Sequence, residues 1–432
     1  MKESSADRST DGLVALIRQQ LKSGIFGRGA VSFLLAYAGI SLSSFVFHVV
    51  VSRLLGPSHY GTMGALLGII SLLTVPIGAV QIAVTQAVID EENKGERFSL
   101  SRVTRRATLG GLGATLAIIA VTPVVDRFLH IASPVPMILV ALWVPLATVS
   151  AVIQGALVGE FRFRPVAFAS FTGVGLVRLV LGALMVGVGW GVSGAVAATI
   201  FAQIFTMTSL VFSARHELFG HRHDTIVRTH VRDTMLSVAA LAGYNTLINI
   251  DTFLANHFFV AMQAGNYAAV AVAAHIAFFV PAGLVTIAFP HLADGQGVSE
   301  TSRGVFRQTL LISLVMGALA ALFMTVFPHW TIDLLFGAKY SDAASILSIL
   351  SFESMAIGVL ILLVYLHLAR RSLTALAPWG GVLVTVVAIS LFHGSIRTVA
   401  VIMFVVCVVT MVAAMVPALM TRREPTDQTR DE

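Results

Sequence analysis

Twelve long apolar runs, each followed by a short polar or basic interval, make up most of this chain. They cover residues 30–52, 62–89, 107–125, 137–159, 166–188, 194–214, 234–255, 266–292, 308–327, 343–368, 375–392 and 398–419. A helix needs roughly 20 apolar residues to cross a bilayer, and each run meets or approaches that length. The pattern predicts an all-α polytopic membrane protein with twelve transmembrane helices. Ahead of the first run, Leu13, Leu16, Ile17, Leu21 and Ile25 recur at helical spacing, with Arg18 and Lys22 opposite. Residues 11–25 therefore predict either an amphipathic helix lying in the cytoplasmic interface or a helical stub leading into the first span. Between the first two runs lies Arg53–Gly61, RLLGPSHYG. Pro57 lacks an amide hydrogen and restricts Gly56, so a tight hairpin between two membrane helices is expected there.

Composition sharpens the class. Of 432 residues, 56% are hydrophobic and 12% charged, with mean hydropathy +0.87. A soluble domain carries about 25% charged residues. The net charge of +6 is explained by placement. With a cytoplasmic N-terminus, the inner segments hold 23 of the 28 Lys and Arg residues. The outer loops hold Arg53, Arg127, Lys339 and Arg397, and Arg178 lies within the fifth run. Cytoplasmic loops carry the excess of basic residues, so both termini are expected inside and no nucleic-acid partner is implied. The first run reads as a full span, not as a cleaved signal peptide. Cys407 is the single cysteine and cannot form an internal disulfide. The outer loops are too short for a catalytic domain, and no phosphate-cradling nucleotide motif is present. The expectation is a transporter without a cofactor, not an enzyme, driven by an ion gradient, the membrane potential or the substrate gradient.

The two halves echo each other. Gly61 aligns with Gly265, Pro76 with Pro281, and Pro123 and Asp126 with Pro328 and Asp333. The basic entry Arg102, Arg105 and Arg106 aligns with Arg303 and Arg307, and Phe161-Arg162-Phe163-Arg164 with Arg370-Arg371. This order predicts two parallel six-helix lobes around a central cavity. The domains follow: a cytoplasmic N-terminal segment 1–29, an N-lobe 30–214, a cytoplasmic linker 215–233, a C-lobe 234–420 and a tail 421–432.

Several stretches resemble a known family. Arg53-Leu-Leu-Gly-Pro-Ser-His-Tyr-Gly61 after the first span is similar to the motif of bacterial polysaccharide biosynthesis proteins. These are oligosaccharide flippases of the multidrug/oligosaccharidyl-lipid/polysaccharide exporter superfamily. Asn249-Ile-Asp251-Thr-Phe-Leu-Ala, Ala264-Gly265-Asn-Tyr267, Phe289-Pro290 and Leu335-Phe336-Gly337-Ala-Lys-Tyr340 resemble later parts of the same family in the same order. The resemblance implies two six-helix bundles, alternating access, and export of a polyprenyl-diphosphate-linked oligosaccharide across a bacterial plasma membrane. The expected partners are that substrate, membrane lipids, a coupling proton or sodium ion, and the neighbouring enzymes of the pathway, namely a polysaccharide polymerase and glycosyltransferases. A cation-coupled multidrug antiporter and a lipid-linked peptidoglycan precursor flippase are the alternatives.

Ionisable residues deep in an apolar run are costly and so are functional candidates. Arg178, twelve residues into its run, reads as a diphosphate contact or as half of a structural ion pair. Arg53 reads as a second cationic contact or as an anchor at a helix C-terminus. His48 and His275 are candidates for substrate contact or proton coupling, or are packing histidines. Asp251, beside Asn245 and Asn249, could hold a coupling cation or an arginine, and Glu353 could hold a proton. Gln81, Gln86, Gln154 and Gln203 could bond sugar hydroxyls or join helices. The linker histidines His216, His221, His223 and His230 match no metal-ligand spacing and read as a basic segment near anionic headgroups. Asp90-Glu91-Glu92 reads as a solvated loop start, not a catalytic cluster.

Overall fold

The computed structural model describes residues 28–94, 99–131, 133–215, 218, 231–278 and 300–420. The 11–25 segment, the linker histidines, the second half of the eighth run with Phe289-Pro290, and the tail lie outside the described residues. All regular structure among the described residues is helical. In order these are α1 Arg28–Leu55, α2 Pro57–Lys94, α3 Leu100–Phe128, α4 Val135–Gly159, α5 Phe163–Ser170, α6 Arg178–Met185 and α7 Gly191–Ser213. The second half gives α8 Val231–Phe258, α9 Ala261–Ala274, α10 Glu300–Val326, α11 Pro328–Leu335, α12 Leu347–Ala369, α13 Ala377–Leu391 and α14 Ile396–Met420.

Eight helical stretches among the described residues are long and apolar enough to cross a membrane. One of them, Phe163–Ser213, holds both the fifth and sixth runs. Its chain reverses at Gly189 and Gly191, whose φ of 98° and 57° only glycine adopts readily. The seventh run escapes the apolar criterion because Asn245, Asn249 and Asp251 interrupt it, and the eighth is described only in part. Exposed apolar rows confirm the environment. On α3, Leu109, Leu112, Leu116 and Val124 point outward, as do Leu383, Val384, Val387 and Leu391 on α13. Such faces are stable against acyl chains, and the chain is a multi-pass membrane protein.

The expected polar turn 53–61 is far tighter than its composition suggests. Only Gly56 stands outside the helices, at φ 71°. Its amide donates to Ser52 O at 2.9 Å, and Pro57 opens α2, where a missing amide costs nothing. Arg53 thus belongs to the end of α1, and His59, Tyr60 and Gly61 to the start of α2.

The fold divides into two compact units. The first comprises 1–234, 252–272 and 332–343, and the second 235–251, 273–331 and 344–432. The core of the first joins Val84 and Val88 of α2, Val152, Ile153, Ala156 and Leu157 of α4, Val166 of α5 and Leu210 of α7. Gly155 and Gly159, one turn apart, let α4 lie directly on α2. A Cβ at Gly155 would stand 2.5 Å from Gln81 O, and one at Gly159 2.7 Å from Val88. Small residues at such spacing let membrane helices approach, and Thr85 Oγ1 then donates to Gly155 O at 3.0 Å. Gly155→Leu should force these helices apart. Overpacking costs about 1–3 kcal/mol, so the melting temperature in detergent should fall by about 1–3 °C. An unchanged melting temperature would argue against this contact.

The second unit is built on α12, buried along most of its length against α8, α10 and α14. Tyr244 donates to Ile357 O at 3.2 Å, and Trp379 Nε1 to Ala239 O at 2.8 Å. The internal repeat reappears inside each unit. In the first, Phe161 has φ 57°, Arg162 N donates to Leu157 O, and the Arg162 guanidinium donates to Ser213 O at the end of α7. In the second, Arg371 has φ 52°, Ser372 N donates to His367 O, and the Arg370 guanidinium donates to Ala418 O near the end of α14. Each basic turn ends one helix in a left-handed residue and caps another, as cations do at helix C-termini.

Candidate functional site

Two of the predicted cationic residues, Arg178 and His48, come together in the first unit around Tyr60, and a third, Arg53, bonds to the segment that packs on it. The arrangement begins with a wide turn. Phe171–Val177, immediately before Arg178, is in π-helical geometry. Insertions of this kind change the phase of the side chains that follow and recur at functional positions. Glycines make the segment fit. A Cβ at Gly173 would stand 2.0 Å from Thr206 Oγ1 on α7, and the Cβ of Gly39 would meet the Phe171 ring at 2.7 Å.

One turn beyond Arg178 lies Gly182, and residues four apart share a helix face. A Cβ at Gly182 would sit 2.4 Å from the Phe47 ring. The empty space there admits that ring, and the Arg178 guanidinium lies over it, 4.2 Å from the centroid. This is a cation–π contact. Arg178 is partly buried, its Nε has no hydrogen-bond partner, and among the described residues no carboxylate pairs with it. The alternative of a structural ion pair therefore has no support there.

Next to Phe47 on α1, His48 Nδ1 lies 2.9 Å from the Tyr60 hydroxyl. Tyr60 is fully buried and close enough to Arg178 to interact with it electrostatically. Its ring packs on Tyr340 and Phe336, each at 6.2 Å between centroids. Tyr340 donates its hydroxyl to Ser52 O at 2.8 Å. Beside Ser52, the exposed Arg53 donates from Nε to Leu335 O at 3.0 Å and from a terminal nitrogen to Leu334 O. Arg53 thus caps α11, at a residue 282 positions further along the chain, and not its own helix.

A second anchor lies close by. Gly61 and Gly265, aligned in the internal repeat, meet each other. A Cβ at Gly61 would be 2.8 Å from Gly265 N, and one at Gly265 only 1.6 Å from Pro57 O. Asn256 Nδ2 donates to Gly61 O at 3.0 Å. The Gly61 requirement is therefore close approach, not a special backbone angle. His257 stacks on Phe128 at 4.1 Å, with its Nδ1 2.8 Å from Phe128 O.

The remaining candidates lie in the second unit. Glu353 is buried, accepts from Ser354 Oγ at 3.3 Å, and has Cys407 Sγ at 3.6 Å. The buried Asp251 is near enough to act on it electrostatically. The Asn245 and Asn249 amides donate back along α8 to Leu241 O and Asn245 O, at 2.9 and 2.8 Å. His275 is partly buried, its ring 6.2 Å from Phe278. Of the glutamines, Gln203 joins helices, donating to Ser150 Oγ at 2.8 Å. Sequence reasoning missed Phe47, Gly182 and the π segment. The one available signal was the pair of glycines, Gly173 and Gly175, close before an arginine deep in an apolar run.

Comparison with known proteins places this geometry. The sequence profile of the polysaccharide biosynthesis protein family matches residues 50–345. No curated protein sequence matches the chain. Among solved structures, an inward-facing multidrug resistance MATE family transporter of the MOP superfamily is similar at TM-score 0.69 and 12% identity, over 88% of this chain and 94% of that one. A MOP superfamily transporter from Pyrococcus furiosus, described as having a binding pocket of reverse polarity, gives TM-score 0.66 and 14% identity, over 90% and 93%. An outward-facing MATE transporter gives 0.64 and 14%, over 90% and 93%. These likenesses give the twelve-helix transporter fold. The chain belongs to the polysaccharide biosynthesis protein family and carries the fold of MOP superfamily transporters.

Proposed function

We propose that this protein flips a lipid-linked oligosaccharide across a bacterial plasma membrane by alternating access, supplying cell-surface polysaccharide synthesis. The glycan would be joined to its polyprenyl carrier through a diphosphate. The observation that carries this reading is Arg178. A cation within an apolar span costs several kcal/mol, about 2.5–3.5 on insertion scales, unless something compensates it. Here the compensation is an aromatic ring, Phe47, and the Nε donor is unused. An arriving diphosphate would supply the missing acceptors, and a planar guanidinium binds two of its oxygens at once. The ring holds the guanidinium in place beforehand, which lowers the ordering cost of binding. His48 and Tyr60 extend the polar surface beside it. The lipid tail would remain among acyl chains throughout.

In this reading both termini are cytoplasmic, segments 30–214 and 234–420 are the two lobes, and 215–233 links them. Asp251 and Glu353, with Asn245 and Asn249 on α8, are the residues assigned to a coupling proton or sodium ion, and His275 to substrate contact. Polysaccharide polymerase and glycosyltransferases would act on either side of the step.

The buried Asp251 and Glu353 also favour a second reading, a cation-coupled multidrug antiporter. Depleting the protein from cells separates the two. The expected result is a lipid-linked oligosaccharide accumulating on the cytoplasmic leaflet while the surface polymer disappears, with mass spectrometry identifying the glycan. A peptidoglycan precursor in its place would select the related flippase activity. No accumulation, with new sensitivity to cationic drugs, would reject the flippase.

A further inference from the structure

The end of α1 holds a segment that belongs, by sequence, to the second half of the chain. Residues 332–343 pack within the first unit, and two kinds of bond tie them to α1. Tyr340 donates to Ser52 O, and Arg53 donates to Leu334 O and Leu335 O. The Arg53 bonds are unusual in their chemistry. The donor is a full cation, both acceptors are neutral carbonyls, and the side chain is exposed. No carboxylate pairs with it among the described residues. The carbonyls belong to the last turn of α11, whose backbone has no helical donor left for them.

We infer that Arg53 is an anion-released latch: a diphosphate group that reaches the outer end of α1 takes the guanidinium from Leu334 O and Leu335 O and frees the 332–343 segment. A phosphate oxygen is the better acceptor, since charge-assisted bonds are roughly twice as strong as neutral ones and the guanidinium fork matches phosphate geometry. Once Arg53 turns away, the Tyr340 hydroxyl bond and the packing of Tyr340 and Phe336 on Tyr60 still hold the segment. The same Tyr60 contacts His48 and interacts with Arg178, so the anion contact and the latch share one side chain. Neutral or cationic cargo has nothing to offer Arg53 and leaves the latch shut. The latch therefore selects for anionic cargo at the exit. This inference rests on the transport reading above.

Ser52 provides the probe. It is fully buried beneath Tyr340, and cysteine is nearly its size. Full-length Ser52→Cys protein in uncharged detergent would be treated with a maleimide, with and without inorganic pyrophosphate. Removing two hydrogen bonds should raise exposure of this position by about tenfold or more. Pyrophosphate should accelerate labelling of Ser52→Cys to that extent. Adding Arg53→Ala should give the fast rate without pyrophosphate and no further response. Adding Tyr340→Phe should raise the rate yet keep the response, because Arg53 is intact. The native Cys407, fully buried in the other unit, reports unfolding in the same sample. If Arg53→Ala exposes Cys407, the pyrophosphate response of the Arg53-containing protein decides alone. Failure of pyrophosphate to accelerate labelling overturns the latch, as does a slow rate in a folded Arg53→Ala protein. An equal response to phosphatidylglycerol mixed micelles without pyrophosphate also overturns it, because bulk lipid headgroups would then release Arg53. If the latch responds as expected but depletion accumulates no lipid-linked oligosaccharide, the cargo reading fails and the latch stands.

Discussion

Arg178→Glu is expected to abolish export while leaving the protein in the membrane. The substitution replaces a cation with an anion at the place proposed for the diphosphate. Truncating one partner of a buried charge contact costs about 2–5 kcal/mol, which is a loss of about 30-fold to several thousandfold, and reversal adds repulsion. It also removes the stacking on Phe47. Arg178→Lys should fall between, since an ammonium keeps the charge but neither the fork nor the planar stack. Appearance of surface polymer in cells carrying each variant measures the effect, with protein level in the membrane fraction as the control. Normal polymer with Arg178→Glu at normal protein level would remove this residue from the mechanism. Phe47 distinguishes the contributions. Its loss should weaken export less than charge reversal, because the cation remains.

Gly265→Ala should be the most damaging single-methyl change in the first unit. The new carbon would lie 1.6 Å from Pro57 O, well inside any allowed contact. The atoms it would meet are all backbone atoms of Pro57 at the start of α2, so no side chain can swing aside. The helices must separate, and the Asn256 bond to Gly61 O stretches with them. Large destabilisations come from a short list of causes, overpacking among them, and about 3–5 kcal/mol is expected here. Gly61→Ala should cost less, since its carbon would stand 2.8 Å from Gly265 N. The pair should be clearly sub-additive, because the first substitution already opens the space for the second. Melting of the purified single and double variants measures this. Additive losses would mean that the two glycines do not share one contact.

Helix placement was legible in the sequence because apolar run length acts locally and strongly. The Gly56-Pro57 break was legible too, since both residues restrict their own backbone. The repeat could be read from Gly61 and Gly265 as an alignment, but not the fact that the two glycines touch. Distances across 204 residues are set by the packing of all the helices between. The same holds for Arg53. Its position at the end of α1 was evident, whereas its acceptors, Leu334 O and Leu335 O, are backbone atoms that any residue would provide. Residue type carries no signal for such a contact. The Arg178 stack was hidden for a different reason. The π segment Phe171–Val177 shifts the helical phase, so the face that Arg178 presents could not be found by counting at 3.6 residues per turn from the start of the run, and Phe47 lies on another helix.

The contact between Gly61 and Gly265 also fixes an order of events during synthesis. A ribosome adding about 5–20 residues per second needs roughly 10–40 s more to make Gly265 after Gly61 has emerged. Throughout that interval α1 and α2 are already in the bilayer with Pro57 O, Gly61 O and the Arg53 donors lacking their final partners. The 332–343 segment arrives later still. The Gly56-Pro57 end of the first unit is thus the last part of it to be completed, although it contains some of the earliest residues made. A nascent chain halted before Ala261 would carry a finished α2–α4 core and an unfinished rim, and that rim is where an insertion chaperone would find exposed backbone to hold.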